Sequence, residues 1–540
     1  MSTHRSAMAG AHGRGLSDAG VQARAADVRA VPAAAVSLPA SAAASGAAPA
    51  EGVSGATTLR AAALRRRLTA LGVAGDVIAL LLAYEAAAAV FGWYHGVPIT
   101  LGLLVPGRLF VVALVVVLCT FVWSGLYELE AWVSRPLHLT LLLRTTLYAV
   151  VVTAFVTFLV KTLALNQSRL ELVVVFVVFL VITATLRLRV WDRVYHRDID
   201  DRPGDTVVVG RSSDAGVLVS RLRELRGFAQ VRTVEPAGRR RHDEVAESGL
   251  LAGLVEGGVP PRQVFLDGAS LGHKAVLELV GELRGRGVEV YLTGRLVRPL
   301  DASGVASRLF ELPLARVRRA PGEPHAGLSR VAVRAFDILA SGAALVVLSP
   351  VFLVCAVAVK LDSPGPVFFR QERVGRRGRC FELVKFRSMT AGNDSAEHRA
   401  CMEAFVTGEV TDALAQTDEY GRPVYKNSAD ARVTRVGAVL RKYSLDELPQ
   451  FWNVFKGEMS VVGPRPALDY EVRVYRPWHE LRLEVTPGLT GLWQVAGRSR
   501  VLFDDMVFQD VVYGCDKALL TDVRLCLLTL PAMLTSRGAA

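Results

Sequence analysis

Cysteine, aromatic residues and charged residues are all scarce in this 540-residue chain. Six cysteines without a C-x-x-C pair exclude a disulfide-built secreted scaffold and argue against zinc or thiol redox chemistry. Charged residues make up 21% of the chain and aromatic residues 7%, whereas 51% is hydrophobic. A soluble globular surface needs more charge than this, so the composition predicts a membrane protein of several domains.

The charge that is present is mostly basic, with a net charge of +12. Beside long apolar segments, this balance favours contact with the anionic lipids of an inner leaflet, and we expect no nucleic-acid partner. Residues 1–62 are rich in Ala and Gly, and they lack the apolar core of a signal peptide. We interpret them as a disordered tail.

Four apolar segments follow, near 71–93, 109–127, 139–160 and 172–190. Each is close to the ~20 residues that cross a bilayer as a helix. Arginines cluster before the first segment and at the end of the fourth, which predicts that both ends of this domain lie in the cytoplasm. Residues 63–198 are therefore predicted to form a four-helix transmembrane bundle.

Three charged residues, Asp76, Glu85 and Arg144, fall inside these segments. A charge within a membrane needs a partner or a polar cavity. Mutual pairing or snorkelling is the simpler interpretation for Asp76 and Arg144. A lipid path or a transporter is the alternative, and the lack of internal repeats or broken helix pairs disfavours transport.

Short apolar segments alternate with helical ones over 199–296, which predicts a Rossmann-like parallel α/β domain. Gly210 ends the first strand, but the next glycine is Gly216, so the G-x-G-x-x-G fingerprint is absent. A structural or assembly role is therefore the simpler interpretation, with ligand binding as the alternative. Residues 297–330 contain several prolines and are interpreted as a linker.

The apolar run 338–359 is long enough to be a fifth span. Ser349-Pro350 lies at its middle, where proline removes a backbone donor and bends a helix. We therefore favour a re-entrant helix over 335–360 that returns the chain to the cytoplasm, with a full kinked crossing as the alternative.

Basic residues become dense after this helix. Lys385 and Arg387 would share one face of a strand, where they could meet a diphosphate. A preceding run is typical of contact with anionic headgroups. Its members are Arg370, Arg373, Arg376, Arg377 and Arg379.

The segment from Ser444 to Gln450 carries the adjacent carboxylates Asp446 and Glu447. A helix that begins at Asp446 places Pro449 in the first turn, where its missing N–H does no harm. A capping box between Ser444 and Glu447 is the alternative start. Apolar residues behind the carboxylates recur at helical spacing and predict a buried face. They are Leu448, Phe451, Trp452 and Phe455.

Two carboxylates at a helix start have a structural explanation, because they cap the helix and complement its dipole. They also suit phosphoryl chemistry, in which one carboxylate attacks phosphorus and a neighbour binds Mg²⁺. Arg465 follows on a loop between two prolines. Spacing alone leaves both interpretations open.

Six motifs in this part of the chain carry a family resemblance. They are Arg334-Ala-Phe-Asp337, Asp362-Ser-Pro-Gly-Pro-Val-Phe-Phe-Arg-Gln-Glu-Arg-Val-Gly375, Lys385-Phe-Arg-Ser-Met389, Ser444-Leu-Asp-Glu-Leu-Pro-Gln450, Gly463-Pro-Arg-Pro466 and Pro487-Gly-Leu-Thr-Gly-Leu-Trp-Gln494. Over about 330–540 the chain resembles the bacterial sugar transferase family, the monotopic polyprenyl-phosphate phosphoglycosyl transferases. With its four spans and α/β domain, it resembles the long form that initiates exopolysaccharide, capsule or O-antigen synthesis.

The resemblance implies transfer of a sugar 1-phosphate, such as that of glucose or galactose, from a UDP-sugar to undecaprenyl phosphate, with release of UMP. Asp446 would carry the phosphosugar covalently, and Glu447 together with Asp446 would bind Mg²⁺. The residues that would surround the phosphates are Lys385, Arg387, Arg435, Arg441 and Arg465.

For the architecture, the resemblance implies an α plus α/β membrane protein of the bacterial inner membrane. Residues 331–540 would form a catalytic α/β domain on the cytoplasmic face, and Ser349-Pro350 would be the turning point of its re-entrant helix. Inner-leaflet lipids and a second copy of the chain are the implied partners. A non-catalytic membrane scaffold or sensor with a degenerate transferase domain is the alternative.

Overall fold

A computed structural model places helices and an α/β region along the chain. The residues it describes are 54–95, 108–127, 135–159, 169–194, 206–224, 231–236, 254, 260–294, 297, 307–309, 312–323, 327–390, 396–408, 416–417, 423–424, 432–496 and 501–534. The tail predicted over 1–62 lies almost wholly outside this part of the chain, as does much of 390–427.

Helices occupy all four predicted apolar segments. They are α1 (Ser54–His95), α2 (Arg108–Trp123), α3 (Arg135–Leu159) and α4 (Arg169–Val194). Thr69–Tyr94 and His138–Phe158 are long and apolar enough to be candidate membrane spans, whereas Phe110–Trp123 is shorter. Crossing by all four helices stays a prediction.

Asp76 is buried where these helices meet, and it does not face an open path. Its carboxylate accepts a hydrogen bond of 2.6 Å from Arg187 of α4 and one of 2.7 Å from the hydroxyl of Tyr127. Arg144 instead donates to Tyr148 on an exposed side of α3. Asp76 is therefore paired, but with Arg187 and not with Arg144, which corrects the expected mutual pairing of these charges.

A six-stranded sheet forms the next unit, and its first four strands are parallel, as the sequence predicts. Its elements are β1 (Thr206–Val209), α5 (Ser213–Glu224), β2 (Val231–Val234), β3 (Gln263–Asp267), α6 (His273–Gly285), β4 (Glu289–Thr293), β5 (Ser307–Leu309) and β6 (Leu312–Val317). The order across the sheet is β2-β1-β3-β4-β6-β5, with β5 and β6 antiparallel. Both of these strands come from the segment interpreted as a linker, so the sheet extends past the predicted boundary at 296.

The crevice at the carboxyl end of β1 is filled by the protein itself. Gly210 has a φ of +153°, and a Cβ there would lie 2.4 Å from the side chain of Asp267. The Asp267 carboxylate accepts hydrogen bonds from the amide of Ser212, in the turn after β1 where a Rossmann fold binds phosphate, and from the amide of Ala269 in its own turn. This arrangement favours the structural interpretation of the module.

The module packs against the carboxyl-terminal region through polar contacts. Arg319 donates to the carbonyl oxygens of Cys515 and Lys517, and His273 lies 2.8 Å from the carboxylate of Asp505. One hydrophobic cluster continues through both units.

The described part of the carboxyl-terminal region combines helices with three two-stranded sheets, β7–β8, β9–β10 and β11–β12. Its elements are α7 (Gly327–Val347), α8 (Ser349–Asp362), β7 (Phe368–Val374), β8 (Cys380–Phe386), α9 (Ala396–Thr407), β9 (Gln416–Thr417), β10 (Pro423–Val424), α10 (Arg435–Lys442), α11 (Gln450–Lys456), β11 (Ser460–Val462), α12 (Asp469–Val472), β12 (Gly488–Thr490), α13 (Leu492–Ala496), α14 (Phe503–Asp516) and α15 (Leu519–Leu534).

Helices α7 and α8 meet at an angle of 61°, which confirms the predicted break. Pro350 lies in the first turn of α8, where its missing N–H needs no partner. The Ser349 hydroxyl donates to the carbonyl oxygen of Val346 and satisfies one acceptor at the end of α7. Asp337 anchors α7 to β11, because its carboxylate accepts from the amide of Val461 and the hydroxyl of Ser460.

Candidate active site

The pair Asp446 and Glu447 lies on a short 3₁₀ turn, Leu445–Glu447, between α10 and α11. Ser444 enters this turn with a left-handed φ of 56°, and the α-helix begins only at Gln450, after Pro449. The predicted helix start at Asp446 is therefore wrong. Proline cannot donate an amide hydrogen bond, so regular helical bonding starts beyond it.

The expected capping box is also absent. No side chain caps the turn at Ser444, because the Glu447 carboxylate instead accepts a hydrogen bond of 3.1 Å from Lys385 of β8. The pair of carboxylates is thus held by a cation on a neighbouring hairpin. Capping and dipole complementarity do not explain its place in the fold.

The two carboxylates have different protonation tendencies. Burial raises the pKa of Asp446 and the charge of Glu447 raises it further, while Lys385 and Arg441 act against this. Burial also disfavours ionised Glu447, but the charge and hydrogen bond of Lys385 outweigh it and lower its pKa. Glu447 is therefore a fixed anion, whereas Asp446 is a buried carboxylate whose charge is only weakly stabilised by its surroundings.

The predicted phosphate-binding residues separate into two groups. Lys385 contacts Glu447 directly, and Arg441 and Arg465 lie close enough to act on the pKa values of the two carboxylates. Arg465 is exposed on its proline-flanked loop, so its guanidinium is open to a ligand. Arg435 is exposed in the first turn of α10. Its charge helps to lower the pKa of Asp362, which is lowered mainly by hydrogen bonds from Thr434 and Val436.

Arg387 does not face the site, and the expectation that it shares a phosphate-binding face with Lys385 is wrong. Strand β8 ends at Phe386, so the alternation of side chains stops there. Arg387 is buried and donates to the carbonyl oxygens of Ser363 and Pro364 just beyond α8. These hydrogen bonds hold the end of α8 beside the β7–β8 hairpin.

Arg373 is a residue of this site that the sequence analysis did not assign to it. It is buried on β7 and donates to the carbonyl oxygen of Pro466 in the loop that carries Arg465. Burial and the charge of Arg465 lower its pKa to about 10, and it acts on the pKa of Glu447. Side chains alternate along a strand, so Gln371 and Arg373 lie on one face of β7. This alternation is the sequence signal that could have separated Arg373 from the other arginines of the run.

Three other members of the arginine run also make contacts within the protein, and contact of the run with lipid headgroups stays a prediction. Arg370 pairs with Glu382, and Arg376 and Arg377 both donate to Glu484.

The apolar face predicted to be buried behind the carboxylates is instead largely exposed. Helix α11 buries Gln450, Asn453 and Val454, whereas Trp452 and Phe455 stack on each other at the surface. Asn453 explains the orientation, because its side chain accepts from the amide of Val384 and donates to the carbonyl oxygen of Glu382. A buried polar side chain must be satisfied in this way, and here it fixes β8, and so Lys385, beside the turn.

No group of three or more potential metal-ligating side chains occurs in the described residues. Mg²⁺ commonly uses only one or two carboxylates and completes its shell with water and substrate phosphates. Asp446 and Glu447, adjacent and beside phosphate-binding cations, fit such a site.

Comparison with known proteins gives the class of this region. The profile of the bacterial sugar transferase family matches residues 328–536. The exopolysaccharide production protein ExoY of Sinorhizobium fredii is 41% identical over 216 residues, which cover 40% of this chain and 90% of that protein. The chain therefore belongs to the bacterial sugar transferase family.

Two further relatives have more specific names. The UDP-glucose:undecaprenyl-phosphate glucose-1-phosphate transferase of Caulobacter vibrioides is 36% identical over 233 residues, which are 41% of this chain and 76% of that protein. The undecaprenyl-phosphate galactose phosphotransferase of Salmonella typhimurium is 37% identical over 211 residues, which are 39% of this chain and 42% of that protein. The chain resembles sugar-phosphate transferases of both sugars.

Proposed function

We propose that this protein transfers a sugar 1-phosphate, of glucose or galactose, from a UDP-sugar to undecaprenyl phosphate and releases UMP. The observation that carries the proposal is the buried Asp446 carboxylate beside the Glu447–Lys385 pair, with Arg441 and Arg465 nearby. The names of the relatives support these substrates and a role in exopolysaccharide synthesis. We further propose that the reaction is the first membrane step of exopolysaccharide, capsule or O-antigen synthesis.

In the first step, an Asp446 carboxylate oxygen attacks the phosphorus nearest the sugar. The bond from that phosphorus to the bridging oxygen breaks, and UMP leaves with this oxygen. The sugar 1-phosphate then remains on Asp446 as an acyl phosphate. Lys385, Arg441 and Arg465 mask the negative charge of the diphosphate, which would otherwise repel the carboxylate.

In the second step, a phosphate oxygen of undecaprenyl phosphate attacks the same phosphorus. The bond to Asp446 breaks, the carboxylate is restored, and the sugar leaves on a lipid diphosphate. A covalent intermediate lets a soluble donor and a lipid acceptor use one nucleophile in turn.

Glu447 and Asp446 would hold Mg²⁺ together with phosphate oxygens of the substrate. When bound, the ion neutralises charge on the diphosphate. The low pKa of Glu447 keeps this carboxylate ionised and suited to a metal.

For membrane placement, we propose four transmembrane helices and a re-entrant α7–α8 pair that keeps the catalytic region in the cytoplasm. The 61° bend and the exposed apolar residues along both helices support this arrangement. Examples of those residues are Leu339, Val346, Val347, Leu353 and Val354.

The test is a screen of UDP-sugars against the purified full-length protein with undecaprenyl phosphate and Mg²⁺, with UMP as the readout. We expect UMP from one or a few donors, and a phosphosugar adduct on the peptide that holds Asp446 when the lipid is omitted. Asp446→Asn should abolish both signals. Asp469→Asn, which neutralises an exposed carboxylate outside the site, is the matched control.

Lipid glycosylation without any adduct on that peptide, or full activity of Asp446→Asn, would contradict the nucleophile assignment. No UMP from any UDP-sugar, with the protein folded, would contradict the proposed reaction itself.

A further inference from the structure

A cavity of about 210 Å³ lies at the start of α7, and none of the residues of the candidate active site lines it. Its charged lining comprises four cations and two carboxylates. They are Arg330, Arg334, Arg376, Lys517, Asp337 and Glu484.

Arg334, Lys517 and Asp337 are three of these six charged residues, and each already makes hydrogen bonds within the protein. Arg334 donates to the carbonyl oxygens of Val454 and Phe455 at the end of α11. Lys517 donates to the hydroxyl oxygen of Ser460, and the O–H of Ser460 in turn donates to the carboxylate of Asp337. These groups have protein partners at short range and offer little to a ligand.

The remaining cations outnumber their counter-ions. Arg376 uses only its Nε, on the carbonyl oxygen of Glu484, while the Glu484 carboxylate pairs with Arg377. Arg330 is exposed and makes no hydrogen bond or ion pair within the described part of the chain. Three guanidinium groups therefore share a single carboxylate. Burial and the charges of Arg377 and Arg330 lower the pKa of Arg376, as expected for crowded like charges.

We propose that this cavity binds a phosphate group, carried either by an anionic lipid headgroup or by a soluble phosphate. The free Nη donors of Arg376 and the whole guanidinium of Arg330 provide the planar fork that suits phosphate oxygens. The Ser329 hydroxyl, also in the lining, adds a neutral donor. A phosphate monoester would compensate the whole excess charge and a phosphodiester headgroup about half of it, and neither would displace an existing hydrogen bond.

The lipid source rests on the proposed re-entrant placement of α7. Val331 is 65% exposed beside Arg330, and Leu339 is 72% exposed further along the helix. Arg330 lies about 14 Å before Leu339 along the helix axis. Arg330 is therefore near the headgroup layer if the apolar part of α7 enters the hydrocarbon. A soluble phosphate does not depend on this placement.

The experiment uses the full-length chain and two probes. In detergent, inorganic phosphate is titrated while thermal unfolding is followed. In nanodiscs of phosphatidylcholine, with or without about one quarter phosphatidylglycerol, retained lipid is counted by native mass spectrometry. The variants are Arg330→Gln and Arg330→Glu, neither of which removes a hydrogen bond. Arg379→Gln removes an equal charge from an exposed position outside the cavity and is the matched control.

We expect Arg330→Gln to weaken the phosphate-dependent stabilisation about tenfold, and Arg330→Glu to weaken it more, while Arg379→Gln resembles the wild type. Phosphate also binds the active site of every variant, so the difference between variants isolates the cavity. If phosphatidylglycerol is retained by the wild type, lost from both Arg330 variants and displaced by phosphate, the ligand is a headgroup. If only the phosphate titration separates the variants, it is a soluble phosphate. Equal behaviour of all variants with both probes would overturn the proposal, and it would leave the UMP assay unaffected.

Discussion

Replacing each of the two site carboxylates by its amide should change thermal stability in opposite directions. Burial raises the pKa of Asp446, so its ionised form is less stable in the fold than in the unfolded chain at neutral pH. Asp446→Asn removes that charge and should raise the midpoint of unfolding. The pKa of Glu447 is lowered, because Lys385 stabilises its ionised form. Glu447→Gln should lower the midpoint.

The magnitudes follow from burial and distance. We expect Asp446→Asn to stabilise by about 1 kcal/mol, which is ~2–4 °C for a domain of this size. The Glu447–Lys385 pair is 3.1 Å long with side chains 38% and 23% exposed, so solvent screens it. Its loss should cost about 0.5–1 kcal/mol.

The pH dependence separates this explanation from a general packing effect. Asp446 has a raised pKa, so the contribution of its neutral form is complete below the ordinary value of 3.8 and is lost as the pH rises through the folded pKa. The advantage of Asp446→Asn should therefore be absent at acidic pH and present at neutral pH. The contribution of Glu447 is present above its ordinary value of 4.5 and is lost as the pH falls through its lowered pKa. The assay is differential scanning fluorimetry of both variants across this range. Changes of the same sign at neutral pH, or a pH-independent gain for Asp446→Asn, would refute the reasoning.

Two other predictions concern Arg387 and the membrane topology. Arg387→Gln should lower the unfolding midpoint by several degrees, because the buried guanidinium and its hydrogen bonds to the carbonyl oxygens of Ser363 and Pro364 are lost, yet leave KM for the UDP-sugar unchanged. Arg465→Gln should raise KM and leave the unfolding midpoint unchanged, because Arg465 is exposed. A raised KM in folded Arg387→Gln would restore it to the phosphate-binding set. Tags at both termini should resist external protease in intact cells, whereas cleavage of the carboxyl-terminal tag alone would mean that the 338–359 segment crosses the membrane completely.

Features set by local chemistry were predictable from the sequence. The strands around Gly210, the break at Ser349-Pro350 and the need of Asp76 for a partner follow from apolar periodicity, proline geometry and the cost of an unpaired charge. Each depends on a few neighbouring residues or on a single general rule. The partner of Asp76 lies 111 residues away, and nothing in the local pattern identifies Arg187.

The errors arose where tertiary contacts override a local pattern. Trp452 and Phe455 look like a core face, but Asn453 must be buried to hold β8 and it turns the helix the other way. Arg373 and Arg387 each stand in a basic run whose members look alike. Only the hairpin register and the end of β8 decide that Arg373 lies behind the site and Arg387 under α8.

The Asp267 side chain gives the α/β module an internal substitute for a phosphate. A mobile anion would have to displace this carboxylate from the amides of Ser212 and Ala269, and it would be repelled by its charge while it did so. The turns after β1 and β3 are therefore held together by a side chain of the module itself, and this end of the sheet is closed from within.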